Sequence, residues 1–274
     1  MSTTAPTSNT TGTASSATGP GSSVPVSVPR RAALGVAGLL SSFLPLSFGI
    51  SATLQLLTGT EADHRFHQVT GQGVLVCALW LAALTPLLLA GLRGRRPSTQ
   101  TGLHLLAFLG ATAVAGILAP EGGAWMVALV GLVTNGLLWL ALPLRPRLRG
   151  AFDDGLDPVL APVTLLMAAL VTPFALDQAD LQHAMGDEHA EMGHYFDMAW
   201  VVFVLVALTA AAALSASARR LAVLSTAGLV VVGAARTLFT PDVTWSVLAM
   251  ALGSVGLLLA VLRSRSGASA GTAA

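Results

Sequence analysis

The chain has 274 residues, of which 54% are hydrophobic and 10% charged, and its formal net charge is +1. Globular chains average roughly 25% charged residues, and here the apolar residues fall in long unbroken runs, which excludes a water-soluble globule in favour of a polytopic membrane protein. All 14 basic residues are arginines, so Schiff-base chemistry on lysine, retinal binding included, is excluded; the lipid bilayer is the expected partner, and nucleic acid is not.

Residues 1–29 are dominated by Ser, Thr, Gly, Pro and Ala and carry no charge, a composition that predicts a disordered tail because too little apolar surface is available to offset ordering. Arg30 and Arg31 then precede the first of eight apolar runs, at roughly 32–53, 71–92, 101–118, 124–144, 157–176, 198–216, 221–240 and 244–262. Each approaches the 20 or so residues that cross about 30 Å of hydrocarbon as a helix. The expected fold is therefore all-α, with eight transmembrane helices.

Twelve of the 14 arginines lie before span 1 or after spans 2, 4, 6 and 8, and only Arg65 and Arg236 fall at the opposite ends. The positive-inside rule then places both termini in the cytoplasm of a cell-membrane protein, with the loops after spans 1, 3, 5 and 7 facing outward. Ten of the 13 acidic residues and five of the six histidines belong to that outward side. Pro45, Pro162 and Pro173 read as kinks that membrane helices tolerate. The single cysteine, Cys77 in span 2, rules out an intramolecular disulfide and any CxxC motif.

The first outward loop carries Glu61-Ala-Asp-His64-Arg65-Phe66-His67, and a near copy, Glu191-Met-Gly-His194-Tyr-Phe196-Asp197, returns 130 residues later. Glu and His at i, i+3 lie on one helical face, where carboxylate and imidazole can share a ligand or a proton. Arg95-Arg96 matches Arg219-Arg220, Pro120-Glu121 with Trp125 matches Pro241-Asp242 with Trp245, and the run from Gly136 matches that from Gly256, all in the same order. This argues for two tandem four-helix repeats, residues 30–150 and 151–265, related about the membrane normal and followed by a short tail, 266–274.

Read as one helix, 180–198 places His183, Asp187, Glu191 and His194 at i, i+4, i+8 and i+11 along one stripe, with Leu181, Met185, Met192 and Phe196 opposite. With His64 and His67 these side chains form a candidate divalent-metal set, since imidazole nitrogen and carboxylate oxygen both suit such an ion and paired E-x-x-H motifs match those of di-metal helix bundles. A solvated interfacial face is the plainer alternative. His189, off the stripe, and His104, in span 3, read as ordinary polar residues. Arg236, just inside the outer end of span 7, calls for an anionic partner or for snorkelling to the interface.

Glu61-x-x-His64-Arg65 opening span 2, a second histidine opening span 6, two four-helix halves and arginine-rich even loops together resemble the heme A synthases. The resemblance implies heme bound near the outer face and oxidation of the heme O methyl group to a formyl group. By position Glu61 would be the functional carboxylate and His64 and His194 heme ligands, and the anionic partner of Arg236 could be Asp197, Asp242 or an acidic group of a bound ligand. The family takes a second histidine for each heme from spans 4 and 8, where this chain has Thr134 and Ser254 as the nearest polar residues. Three expectations stand: a heme-dependent membrane oxidoreductase or heme-handling relative; a membrane protein or transporter that holds a divalent metal or relays protons on its outer face; and a non-catalytic subunit of a membrane complex or homo-oligomer.

Overall fold

The computed structural model describes residues 23–59, 64–71, 73–121, 124–184, 186–239 and 243–270. Long apolar runs can satisfy their backbone hydrogen bonds only internally once water is removed, so they form helices. These are α1 (Val28–Thr58), α2 (Arg65–Val69), α3 (Val74–Leu92), α4 (Thr99–Leu118), α5 (Ala124–Ala141), α6 (Leu160–Ala184), α7 (Glu188–Glu191), α8 (His194–Leu214), α9 (Arg220–Phe239) and α10 (Val243–Ala270). Pro29 opens α1, where a missing N–H costs nothing. Ser98 caps α4 by accepting from Thr101 N–H at 3.1 Å.

Among the described residues, seven helical stretches are long and apolar enough to cross a membrane: α1, α2 with α3, α4, α6, α8, α9 and α10. The chain is an all-α, multi-pass membrane protein. The fourth expected span, 124–144, is shorter than its hydropathy suggested, with an apolar helix over Trp125–Ala141. Pro143 is the reason, because proline disfavours helical geometry at the residue before it. The extended segment before α1 lies against the α3–α4 turn, with Val24 N–H donating to Gly94 O at 2.9 Å.

The helices run up and down, so one end of the bundle gathers the arginine-rich turns and the other gathers α2, α7 and the start of α8. Helix α1 packs on α3 and α5, and α4 closes that group; α6 packs on α8 and α10, and α9 closes the second. The two groups meet chiefly where α4 lies along α8, the most deeply buried helix. Trp80, Phe108, Trp200 and Phe196 are all under 2% exposed and fill that junction. Trp200 Nε1 donates to Thr112 Oγ1 at 2.8 Å, so the indole is satisfied inside the core. Small residues let α9 and α10 approach closely: a Cβ on Gly253 would lie 2.9 Å from the Val230 backbone nitrogen.

At the arginine end, Asp157 is buried and holds three helices together. Its carboxylate caps α6 by accepting from Val159 N–H at 3.0 Å and Leu160 N–H at 3.2 Å. It also pairs with Arg219 at 3.1 Å, just before α9, and with Arg263 of α10 at 2.9 Å.

Candidate functional site at the histidine end

The first half supplies its histidines from α2. His64 is the residue before the helix and His67 lies within it, three residues on, so both rings project from one face. Gln68 Nε2 donates to Gln55 Oε1 at 3.0 Å, which ties α2 to the end of α1. The turn into α3 is then forced tightly onto α8. A Cβ on Gly71 would lie 2.7 Å from Asp197 Cβ, and one on Gly73 would lie 1.4 Å from Gln68 O. Only glycine allows that approach.

The second half supplies its histidines across a break. The stretch 180–198 is three pieces and not the single helix its pattern suggests: α6 ends at Ala184, α7 occupies Glu188–Glu191, and α8 starts at His194. Gly193, with φ of 75°, makes the second turn in a conformation that glycine adopts without strain. Asp187 initiates α7, its carboxylate accepting from Ala190 N–H at 2.8 Å and from Tyr195 O–H at 2.7 Å. The Ala190 amide first, then the Tyr195 hydroxyl, hold this carboxyl below the usual carboxylate range. Buried Gln182 staples the pieces together: Nε2 donates to Ala190 O at 2.6 Å, and Oε1 accepts from Phe196 N–H at 3.1 Å.

These turns converge four imidazoles. His64 stacks on His189, with centroids 5.0 Å apart and planes at 4°, and His67 stacks on His194 at 4.8 Å and 22°. His64 meets His194 edge to face at 5.1 Å, and His189 lies 5.4 Å from both His67 and His194. Each stacked pair takes one ring from each half of the bundle. His64, His189 and His194 can each offer a ligand atom such that all three lie within 4.8 Å of one another. His194 is 6% exposed; the Nδ1 atoms of His67 and His194 are buried and meet no hydrogen-bond partner among the described residues.

Beside the cluster opens a cavity of about 370 Å³. Phe48, Ala52 and Gln55 of α1 form one wall, His64, His67 and His194 another, and Glu188 and Met192 flank it from the α7 side. Three imidazole nitrogens within reach of one another, two of them on rings that border a partly enclosed space, suit a transition-metal ion with room for a further ligand.

The other sequence-predicted residues lie elsewhere. Glu61 falls outside the described residues. His183 is turned away from the cluster and pairs with Glu121 at 2.8 Å, joining the α4–α5 link to the end of α6. Asp187 is spent on capping, and Glu191 is exposed on α7; the stripe that grouped them with His183 and His194 is broken by the two turns. Arg236 does not line the cavity. Its guanidinium lies 4.6 Å from the Phe174 ring centroid and 5.1 Å from that of Trp245, an aromatic setting that suits a cation with low access to water. His189, read from the sequence as an ordinary polar residue, belongs to the cluster. Its signal was an acidic cap, Asp187, placed shortly before Gly193, which marks a short separate helix.

No protein-family model, no curated protein and no solved structure matches this chain.

Proposed function

We propose that this is a membrane protein that binds a transition-metal ion at its histidine end, through His64, His189 and His194 with His67 alongside. The observation that carries the reading is the gathering of imidazole donors from both halves of the bundle within 4.8 Å. Arginines at the opposite end orient the site toward the outside of the cell membrane by the positive-inside rule. The sequence of a long helix, a short one and three long ones occurs twice, α1–α5 and α6–α10. This supports two tandem four-helix repeats, with α5 as a short eighth span and the metal site at the interface of the two. Binding, transfer or transport of the ion at that face is the function.

Protein purified in mild detergent, stripped with chelator and titrated with Zn(II) should take up about one ion per chain, from one three-histidine site. His64→Ala, His189→Ala and His194→Ala should each remove that uptake. A wild-type protein that takes up neither Zn(II) nor Cu(I) overturns the reading.

A heme-handling function is the second reading, favoured because His64 and His194, the positions implied by resemblance to the heme A synthases, border one cavity. Their ring centroids lie 5.1 Å apart, too close for a porphyrin iron to sit between them with both rings as axial ligands. Heme would therefore have one axial histidine. A Soret band from heme-replete cells, lost in His64→Ala or His194→Ala, is the result that would support it, and a colourless protein the result that would not.

A further inference from the structure

The cavity offers two donors beyond the imidazoles, and they differ in hardness. Glu188 and Met192 stand four residues apart, one helical turn, with Met192 N–H donating to Glu188 O at 3.0 Å. Both line the space bounded by His64, His67 and His194. Glu188 brings a hard carboxylate and Met192 a soft thioether.

Met192 has little part in the core. It is 40% exposed, directly after the polar stretch Asp187-Glu188-His189-Ala190-Glu191, where a long apolar side chain gains little from burial. The nearby sulfurs are placed differently. Met198 is buried one layer below and accepts from Thr70 O–H at 3.6 Å, and Cys77 is buried within α3. Met192 is the sulfur among the residues that border the cavity.

Thioether and imidazole together select monovalent copper, whereas carboxylate and imidazole favour zinc. We propose that the ion is Cu(I), held by His64, His189 and His194 with the Met192 thioether as a further ligand. The proposal rests on the metal-site reading above and names the ion for that site.

The test is a pair of anaerobic titrations of the full chain in detergent, Cu(I) against a bicinchoninate competitor and Zn(II) against a chromogenic one. They are run on wild type, Met192→Leu, Met192→Cys and Glu188→Gln. Met192→Leu should weaken Cu(I) binding more than about tenfold, the scale on which single partners tune metal sites, while leaving Zn(II) within about twofold of wild type. Met192→Cys should retain Cu(I), and X-ray absorption of the copper-loaded wild type should show a sulfur neighbour that Met192→Leu lacks. Equal loss of both ions in Met192→Leu, or unchanged Cu(I) binding, overturns the assignment. Zn(II) uptake without Cu(I) uptake in the wild type overturns copper and leaves the metal site standing; uptake of neither overturns both.

Discussion

An imidazole can serve as a ligand only when something holds its ring in place, and in the proposed site Asp187 and Gln182 fix the pieces that carry His189 and His194. His189 sits on a helix of four residues, Glu188–Glu191, too short to persist without its cap. His189→Ala should therefore cost more than about 100-fold in metal affinity, as a direct ligand, whereas Asp187→Ala should cost on the order of tenfold by releasing α7, the range typical of outer partners. Asp187→Asn, which can still cap, should restore most of the affinity; failure of that rescue would mean that the carboxylate charge itself contributes. Because the Asp187 carboxyl is held below its usual range, it stays ionised through neutral pH, and the cap weakens only as pH falls through that depressed value. His183→Ala should leave metal uptake unchanged in the same titration, since its ring pairs with Glu121 outside the cluster.

The apolar helices were legible because hydrocarbon permits so few backbone solutions that run length alone locates them. The recurrence of a histidine motif before α3 and at the start of α8 was legible too, and histidines of both copies, His64, His67 and His194, border the same cavity, while Glu191 does not. What helical periodicity could not convey is a turn inside the period. A wheel drawn over 180–198 puts His183, Asp187, Glu191 and His194 together only if the helix is continuous, whereas α6 ends at Ala184, α7 occupies Glu188–Glu191 and Gly193 turns the chain before α8. The same holds for α2, whose seat depends on two close approaches that carry no periodic signal, Gly71 against Asp197 of α8 and Gly73 against Gln68 of α2 itself. Gly73→Ala would drive a methyl group into Gln68 O, so it should abolish metal uptake by displacing α2. The apolar helices should survive, visible as unchanged far-ultraviolet circular dichroism of the detergent-solubilised protein. Loss of helicity in step with metal uptake would show instead that α2 is needed for the bundle to form.

Across the whole molecule the two ends have separate tasks. The histidine end is assembled across the halves, each stacked pair drawing one ring from α1–α5 and one from α6–α10, so occupancy of the site should report their docking. The arginine end is held by Asp157, which joins the start of α6 to Arg219 and to α10. Burial pushes the Asp157 carboxyl up, but the Arg263 hydrogen bonds, the Val159 and Leu160 amides and the Arg263 charge outweigh it, leaving the group below its usual range. A carboxyl depressed by folding stabilises the native state above its unfolded value, about 3.9, and that contribution is lost as pH falls through the lower, folded value. Asp157→Asn should thus lower stability at neutral pH by on the order of 2 kcal/mol, through the charge-assisted bonds it removes. It should also flatten the acid limb of a thermal-unfolding series in detergent, because the group that titrates there is gone. Zn(II) affinity should not change, since the substitution lies at the opposite end of the helices from the histidines. A matching loss of metal affinity would instead mean that the clasp on α6, α9 and α10 sets how the halves dock, and that the two ends act as one unit.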